Sequence, residues 1–81
     1  MEIYIVYILK SLNSERTYVG FTNDIERRLK EHNSGKSKYT SKFMSWKLVY
    51  KEEFNNKEEA VNKERYYKTA AGRRKLKRIL S

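Results

Sequence analysis

The chain has 81 residues, with 19 Lys and Arg against 10 Asp and Glu, and it contains no cysteine. This length predicts a single domain, residues 1–81, with one modest core, and the lack of thiols excludes disulfides and cysteine metal sites. The longest apolar run, residues 3–9, has only seven residues and no basic segment before it. We therefore expect neither a signal peptide nor a membrane span, and a cytoplasmic location.

The positive charge is concentrated in the second part of the chain. Residues 1–34 carry five basic and five acidic side chains, whereas residues 35–81 carry fourteen basic and five acidic ones. No acidic residue follows Glu64. One-sided positive charge favours a polyanionic partner, because each neutralised phosphate releases a condensed counterion. The alternative is a surface that only keeps the protein in solution, and the composition favours nucleic acid.

Two strands joined by a turn are predicted at the start of the chain. Residues 2–9 contain an unbroken run of mainly β-branched and aromatic residues after Glu2, which is typical of a central strand buried on both faces. Residues 10–15 are rich in turn-forming side chains, and residues 16–22 return as a second strand. Together they predict a β-hairpin.

The hairpin brings two tyrosines together. If it is symmetric about the peptide bond between Leu12 and Asn13, Tyr7 lies directly opposite Tyr18 with both rings on one face. A register slip of one residue would separate them. Gly20 lies on the same face as Tyr18, where a missing side chain either leaves the backbone open to a ligand or marks a bulge.

The first predicted helix follows the second strand directly. Asn23 and Glu26 have the spacing of a capping box, and Gly35 supplies a C-terminal stop. Arg28 and His32 are four residues apart beside the apolar stripe of this helix. Both side chains are therefore predicted to point toward the margin of the sheet.

The second part of the chain adds a strand and two helices. Residues 36–42 form a basic, hydroxyl-rich loop that either binds phosphate or is simply solvated, and residues 46–54 predict a third strand. Capping residues predict a second helix over residues 55–71 with Gly72 as its stop, and residues 73–80 predict a short basic helix. The fold class expected is α/β (α+β), a three-stranded antiparallel sheet flanked by helices.

The second helix has a carboxylate on its inward-facing stripe. Glu64 shares the three-and-four spacing of one face with five other residues: Ala60, Val61, Tyr67, Lys68 and Ala71. Burying an unpaired carboxylate is costly, so we expect a cationic partner for Glu64. The partner is either the Arg28 side chain or a metal ion, and the sequence leaves both alternatives open.

These residues suit phosphodiester chemistry. Hydrolysis needs a base near the attacking water, positive charge at the phosphate oxygens and usually a divalent ion. One carboxylate suffices for Mg²⁺, which keeps several waters and takes further ligands from a substrate phosphate. Arg28 could hold a phosphate through two hydrogen bonds. His32 could be a base, an acid or only a phosphate contact, although a single histidine on a helix is more often structural.

The spacing of these residues resembles the GIY-YIG nuclease family. Ile5-Val6-Tyr7 is followed after ten residues by Tyr18-Val19-Gly20, and then by Thr22, Arg28, His32 and Glu64. The resemblance covers nearly the whole chain, and residues 58–68 and 72–77 are similar to small stand-alone members that resemble the incising component of the repair excinuclease. The chain departs from the family at Ile5, where the first motif has glycine, and it has no clear counterpart of a late asparagine.

The resemblance implies roles for the individual residues. Tyr7 and Tyr18 would orient or deprotonate the attacking water, Arg28 would hold the scissile phosphate, and Glu64 would bind a single Mg²⁺ or Mn²⁺ ion. His32 would assist, together with the loop lysine Lys38 or Lys42. Because a phenol has an ordinary pKa near 10, we expect nearby cations to lower the pKa of the catalytic tyrosine.

The function that these observations favour is a divalent-metal-dependent DNA endonuclease associated with repair or recombination. We expect a monomer that selects flaps, branches or single-stranded ends by charge and shape, with or without a partner protein. Contacts to DNA are expected from Gly20, Lys36, Lys38, Lys42, Lys68, Arg73 and Arg74. The alternatives are a non-catalytic nucleic-acid-binding module with the same fold and an interaction domain that delivers activity to a partner.

Overall fold

The computed structural model describes residues 2–35, 40 and 42–80. Within them the elements follow in the order β1 (Tyr4–Ser11), β2 (Thr17–Thr22), α1 (Ile25–Asn33), β3 (Trp46–Phe54), α2 (Lys57–Tyr67) and α3 (Ala70–Leu80). The strands form one antiparallel sheet in the order β2-β1-β3. The predicted fold class and the central position of β1 are confirmed. No helix in the described part of the chain is long and apolar enough to cross a membrane.

The sheet is covered by helices on both faces, which explains the unbroken apolar sequence of β1. One cluster lies on the face that packs against α2 and α3, and its buried members are Val6, Ile8, Val19, Ala60, Tyr67 and Leu76. The other lies on the face that packs against α1, and its buried members are Ile5, Tyr7, Leu9 and Trp46. Successive residues of β1 alternate between the two clusters, as the pleat of a strand requires.

The predicted register of the hairpin is wrong by two residues. Tyr7 pairs with Gly20, and Tyr18 pairs with Leu9. The hairpin is centred on the peptide bond between Asn13 and Ser14, one residue later than predicted, as the pairs from Ile5–Thr22 to Lys10–Thr17 show. An even shift keeps every side chain on its face. Tyr7 and Tyr18 are therefore diagonal neighbours on the α1 face, with ring centroids 6.2 Å apart.

The start of α1 differs from the prediction by one residue. Asp24, not Asn23, is the N-cap, and its Oδ1 atom accepts a hydrogen bond from the Arg27 amide at 3.1 Å. The Asn23 side chain instead donates to Glu2 at 3.1 Å. The predicted stop is confirmed, since Gly35 follows the end of α1 with a φ of 84° that favours glycine.

The predicted cap of α2 is confirmed, whereas its predicted end is wrong. Asn56 accepts hydrogen bonds from two first-turn amides, but the helix ends at Tyr67. Gly72 lies in the first turn of α3, which Thr69 caps by accepting from the Gly72 amide at 3.1 Å. Gly72 is needed for contact between α2 and α3, because a Cβ there would lie 1.9 Å from the Tyr66 carbonyl oxygen.

Candidate active site

His32 connects the sheet to the segment that follows α1. Its side chain is fully buried, with Nε2 2.9 Å from the Tyr7 hydroxyl and Nδ1 3.0 Å from the Thr40 hydroxyl. Burial and the charge of Arg28 lower the pKa of His32, although Glu31 opposes the shift. The ring is therefore neutral at pH 7. A neutral imidazole donates from one nitrogen and accepts at the other, so Tyr7 and Thr40 have opposite hydrogen-bonding roles.

Three aromatic rings form the body of the site. The Tyr18 ring centroid lies 4.7 Å from that of His32 and 6.4 Å from that of Trp46, which it meets edge-on. Tyr7 is fully buried, whereas Tyr18 is partly exposed. The sequence predicted the pair of phenols but not the close packing of His32 on Tyr18. Of the two phenols, Tyr18 is the one that solvent or a ligand can reach.

The expected lowering of a tyrosine pKa is wrong for Tyr7. Burial raises the pKa of the Tyr7 phenol to about 12. A hydrogen bond from Arg28 opposes this shift, while negative charge on Tyr18 or Glu64 would add to it. Desolvation therefore outweighs the nearby cation, and Tyr7 keeps its proton at neutral pH. The influence of Glu64 also shows that this carboxylate lies within electrostatic range of the Tyr7 hydroxyl.

Gly20 makes room for this arrangement. It pairs with Tyr7 across the hairpin, and a Cβ at Gly20 would lie 2.6 Å from the Tyr7 hydroxyl and 3.0 Å from Cε1 of Tyr18. The pairing of β1 with β2 is continuous around it, so the bulge alternative is wrong. The Tyr7 ring occupies the space that a side chain at position 20 would need.

The two charged residues predicted for the site have other ion-pair partners. Arg28 donates to Glu31 at 2.8 Å, and Glu64 lies 3.8 Å from the Lys68 ammonium group. The direct Arg28–Glu64 ion pair that the sequence allowed is thus not formed between these described residues. The hydrogen bond to Glu31 raises the pKa of Arg28, which stays charged at every physiological pH.

Several residues that hold the site together were missed from the sequence. Asn33 binds both backbone groups of Trp46, accepting from its amide at 2.6 Å and donating to its carbonyl at 3.1 Å. The Trp46 indole donates to the Thr40 carbonyl at 2.7 Å. Glu31 could have been predicted from its spacing to Arg28, but contacts of Thr40, Asn33 and Trp46 depend on the tertiary fold and have no local sequence pattern.

The six basic residues among the expected DNA contacts separate into three groups. Lys68 and Arg73 line an open groove of about 870 Å³ between β2 and α3, which also includes Tyr18. Lys42 and Arg74 are exposed but do not line that groove. Lys36 and Lys38 lie outside the described residues. The structure thus brings Tyr7, Tyr18, Arg28 and His32 together, with Glu64 within electrostatic range. Their catalytic roles stay predictions.

Comparison with known proteins gives one consistent result. The model of the family described as GIY-YIG catalytic domain matches residues 3–77. UPF0213 protein CPE1444 of Clostridium perfringens is 47% identical over 77 residues, which cover 94% of this chain and 82% of the relative. UPF0213 protein SSP2268 of Staphylococcus saprophyticus is 39% identical over 80 residues, which cover 98% of this chain and 96% of the relative.

A solved structure agrees with this family assignment. The solution NMR structure of UPF0213 protein BH0048 from Bacillus halodurans matches with a TM-score of 0.58 and 35% sequence identity, covering 95% of this chain and 84% of that one. The family match runs from the residue before β1 into α3, so it includes both tyrosines, Arg28 and Glu64. The chain, which is similar throughout to UPF0213 proteins, therefore belongs to the GIY-YIG family of nuclease domains.

Proposed function

We propose that this protein is a divalent-metal-dependent DNA endonuclease that hydrolyses phosphodiester bonds. The observation that carries the proposal is the environment of the Tyr7 hydroxyl. It contacts the His32 imidazole at 2.9 Å, interacts with the Arg28 guanidinium and is influenced by the Glu64 carboxylate. An imidazole and a guanidinium at one buried phenol, with a carboxylate within electrostatic range, have little value for packing, but they suit phosphoryl transfer.

In this proposal Arg28 binds the scissile phosphate. Its side chain is one-third exposed, which leaves donors available beyond those that contact Glu31. Tyr18 orients the attacking water, because it is the exposed phenol of the pair. Tyr7 keeps its proton and positions Arg28 and His32 through hydrogen bonds. The water oxygen forms the new bond to phosphorus while the bond to the leaving oxygen breaks, and the proton that the water loses passes through solvent to the leaving oxygen.

The residues present fit a single divalent ion such as Mg²⁺ or Mn²⁺. No group of three or more carboxylate, imidazole or thiol ligands occurs in the described part of the chain. Glu64 offers one carboxylate that is 18% exposed and, among the described residues, forms a long ion pair with Lys68. Mg²⁺ is commonly held by one or two carboxylates together with water and substrate phosphate. When bound by Glu64, the ion would stabilise negative charge on the phosphate and the leaving oxygen.

The proposal includes selection of DNA by structure and a role in repair or recombination. Its support is the charge distribution, since backbone contacts position DNA without reading its sequence. The basic side chains at the groove can neutralise backbone phosphates of any sequence. Flaps, branches and ends, where the backbone departs from a regular duplex, are the substrates we expect.

Cleavage assays with matched variants test the proposal. Purified protein is incubated with single-stranded, duplex, flap and branched DNA, with Mg²⁺, with Mn²⁺ and with chelator. We expect metal-dependent cleavage that falls about a hundredfold or more in Arg28→Ala and in Glu64→Gln. The controls are Arg27→Ala, which removes an exposed arginine from the same helix, and Glu59→Gln, which removes an exposed carboxylate from α2. Both controls should cleave at close to the parental rate.

Three outcomes would each contradict one part of the proposal. Salt-sensitive DNA binding without cleavage under any condition would favour the alternative, a binding module with the nuclease fold. Cleavage that survives Glu64→Gln or chelator would overturn the metal assignment. Equal losses in Arg28→Ala and Arg27→Ala would mean that general charge, not the Arg28 position, supports activity.

A further inference from the structure

The groove between β2 and α3 is a second feature that the active-site residues do not explain. It extends from Tyr18 along β2 to the hairpin connection on one side, and along α3 to its last residue on the other. Its described lining contains five cations, namely Lys10, Arg16, Lys68, Arg73 and Lys77, and a single acid, Glu15. Lys10, Arg16 and Lys77 were not among the DNA contacts expected from the sequence.

The charge of the groove is arranged along its rim. Arg73 and Lys77 are one helical turn apart, so they lie on the same side of α3. Both are exposed. On the opposite side Lys10 is partly exposed, while the guanidinium of the exposed Arg16 lies over the Phe43 ring, 4.9 Å from its centroid. Cations along a groove attract a chain of regularly spaced negative charges better than one compact anion.

The floor of the groove is apolar. Leu76 and Val19 are buried, and Leu80 is partly exposed. A duplex hides the faces of its bases inside the stack and gains little from such a floor. An unpaired strand exposes both its phosphates and its base faces, and it can place bases against aromatic and apolar side chains. The combination of cationic rim and apolar floor therefore fits a single strand better than a duplex.

We propose that this groove binds an unpaired DNA strand, which runs from Tyr18 along β2 toward the hairpin connection. The proposal rests on the proposed nuclease function, because it identifies the groove as the path by which a single-stranded segment reaches the site. Tyr18 borders both regions: its ring packs on His32 on the α1 face, while the groove lies beside its position on β2, on the α2–α3 face. Because β2 is an edge strand of the sheet, a bound strand would pass from the groove around this edge to reach Arg28 and Glu64.

Binding measurements test the groove independently of cleavage. Fluorescence anisotropy with a labelled oligothymidylate and with a blunt duplex of equal length is carried out in chelator. We expect the protein to prefer the single strand, and Arg73→Ala/Lys77→Ala to weaken that binding about tenfold or more. Each lost phosphate contact should reduce the slope of log affinity against log salt by about 0.7. The control Lys57→Ala/Arg65→Ala removes two charges from exposed positions of α2 outside the groove.

A substitution that is expected to tighten binding distinguishes a specific charge effect from a general loss of structure. Glu15 is fully exposed at the hairpin end of the groove, where its carboxylate lies 3.5 Å from the Lys10 ammonium group. Glu15→Gln should release Lys10 and remove a repulsive charge, so single-stranded binding should tighten about two- to threefold. Unchanged or weaker binding by Glu15→Gln would contradict the proposed path.

The outcomes separate this proposal from the nuclease function. If the groove and control pairs of substitutions weaken binding equally, or if the duplex binds better, the groove proposal is overturned even where metal-dependent cleavage is observed. If no DNA is cleaved but groove substitutions selectively weaken single-strand binding, the groove proposal stands and the nuclease function fails.

Discussion

The two faces of the sheet are packed in different ways. The face toward α2 and α3 is closed by aliphatic side chains such as Val6, Ile8 and Leu76, with the Tyr67 hydroxyl donating to Glu52. The face toward α1 contains Tyr7 and the fully buried imidazole of His32, both in hydrogen bonds. Every buried side-chain polar atom in the described part of the chain has a partner.

This difference separates residues that stabilise the fold from residues that prepare the site. An aliphatic side chain in the position of His32 would avoid the cost of desolvating an imidazole, and it would need no partner at Thr40. The α1 face instead keeps a connected polar group that holds Tyr7, Tyr18 and Arg28 in place. We therefore expect substitutions on the α2–α3 face to affect stability first, and substitutions on the α1 face to affect activity first.

Gly72→Ala should produce the largest loss of stability. Its Cβ would lie 1.9 Å from the Tyr66 carbonyl oxygen and 2.6 Å from the Tyr67 Cα, and backbone atoms cannot move aside as a flexible side chain can. We expect the free energy of unfolding to fall by about 3–5 kcal/mol, measured by urea denaturation. Ala71→Ser, at an exposed neighbouring position, should change it by less than about 0.5 kcal/mol. Wild-type stability of Gly72→Ala would disprove this account of helix packing.

Gly20→Ala should damage activity more than stability. The new methyl group would displace the Tyr7 hydroxyl from His32, and a shift near 1 Å in an active site can cost about a hundredfold in rate. We expect such a loss of cleavage with a cost in unfolding free energy of only about 1–3 kcal/mol.

The matched control for Gly20→Ala lies on the other face. Ile8→Val removes one methylene from a fully buried position next to Tyr7 in sequence, at a cost of about 0.5–1.5 kcal/mol. The folded Ile8→Val protein should cleave at the parental rate. If both variants lose activity only in proportion to their loss of stability, the expected functional difference between the two faces of the sheet is disproved.

Much of the fold could be predicted from sequence because it depends on local patterns. The apolar run of β1, the bounds of β3 and the Asn56 cap all follow from neighbouring residues. The hairpin register and the role of Gly72 could not be predicted, since each depends on how separate segments pack. The same holds for the site: spacing brought Tyr7 and Tyr18 to one face, but the Thr40 contact and the raised pKa of Tyr7 arise only from burial.

The smallest effect we predict is a loss of stability at acidic pH, caused by protonation of His32 on the α1 face. His32 is the only histidine in the chain, so no other imidazole contributes to stability changes near pH 6. Burial and Arg28 lower the pKa of His32 below the ordinary value of 6.5. The unfolded chain therefore binds a proton more readily, and the stabilisation is present above pH 6.5 and is lost as the pH falls through the folded pKa.

Urea denaturation at pH 7.5 and 5.5 measures this loss. With an unfolded pKa near 6.5, the decrease in unfolding free energy at pH 5.5 is at most about 1.4 kcal/mol. His32→Gln should remove most of this pH dependence, whereas Arg27→Ala, on the exposed side of the same helix, should retain it. Equal or greater stability at pH 5.5 would mean that the charge of Glu31 outweighs burial and Arg28. The buried polar group of the α1 face would then prefer a charged imidazole, and the His32–Tyr7 contact would have to be described with His32 as the donor.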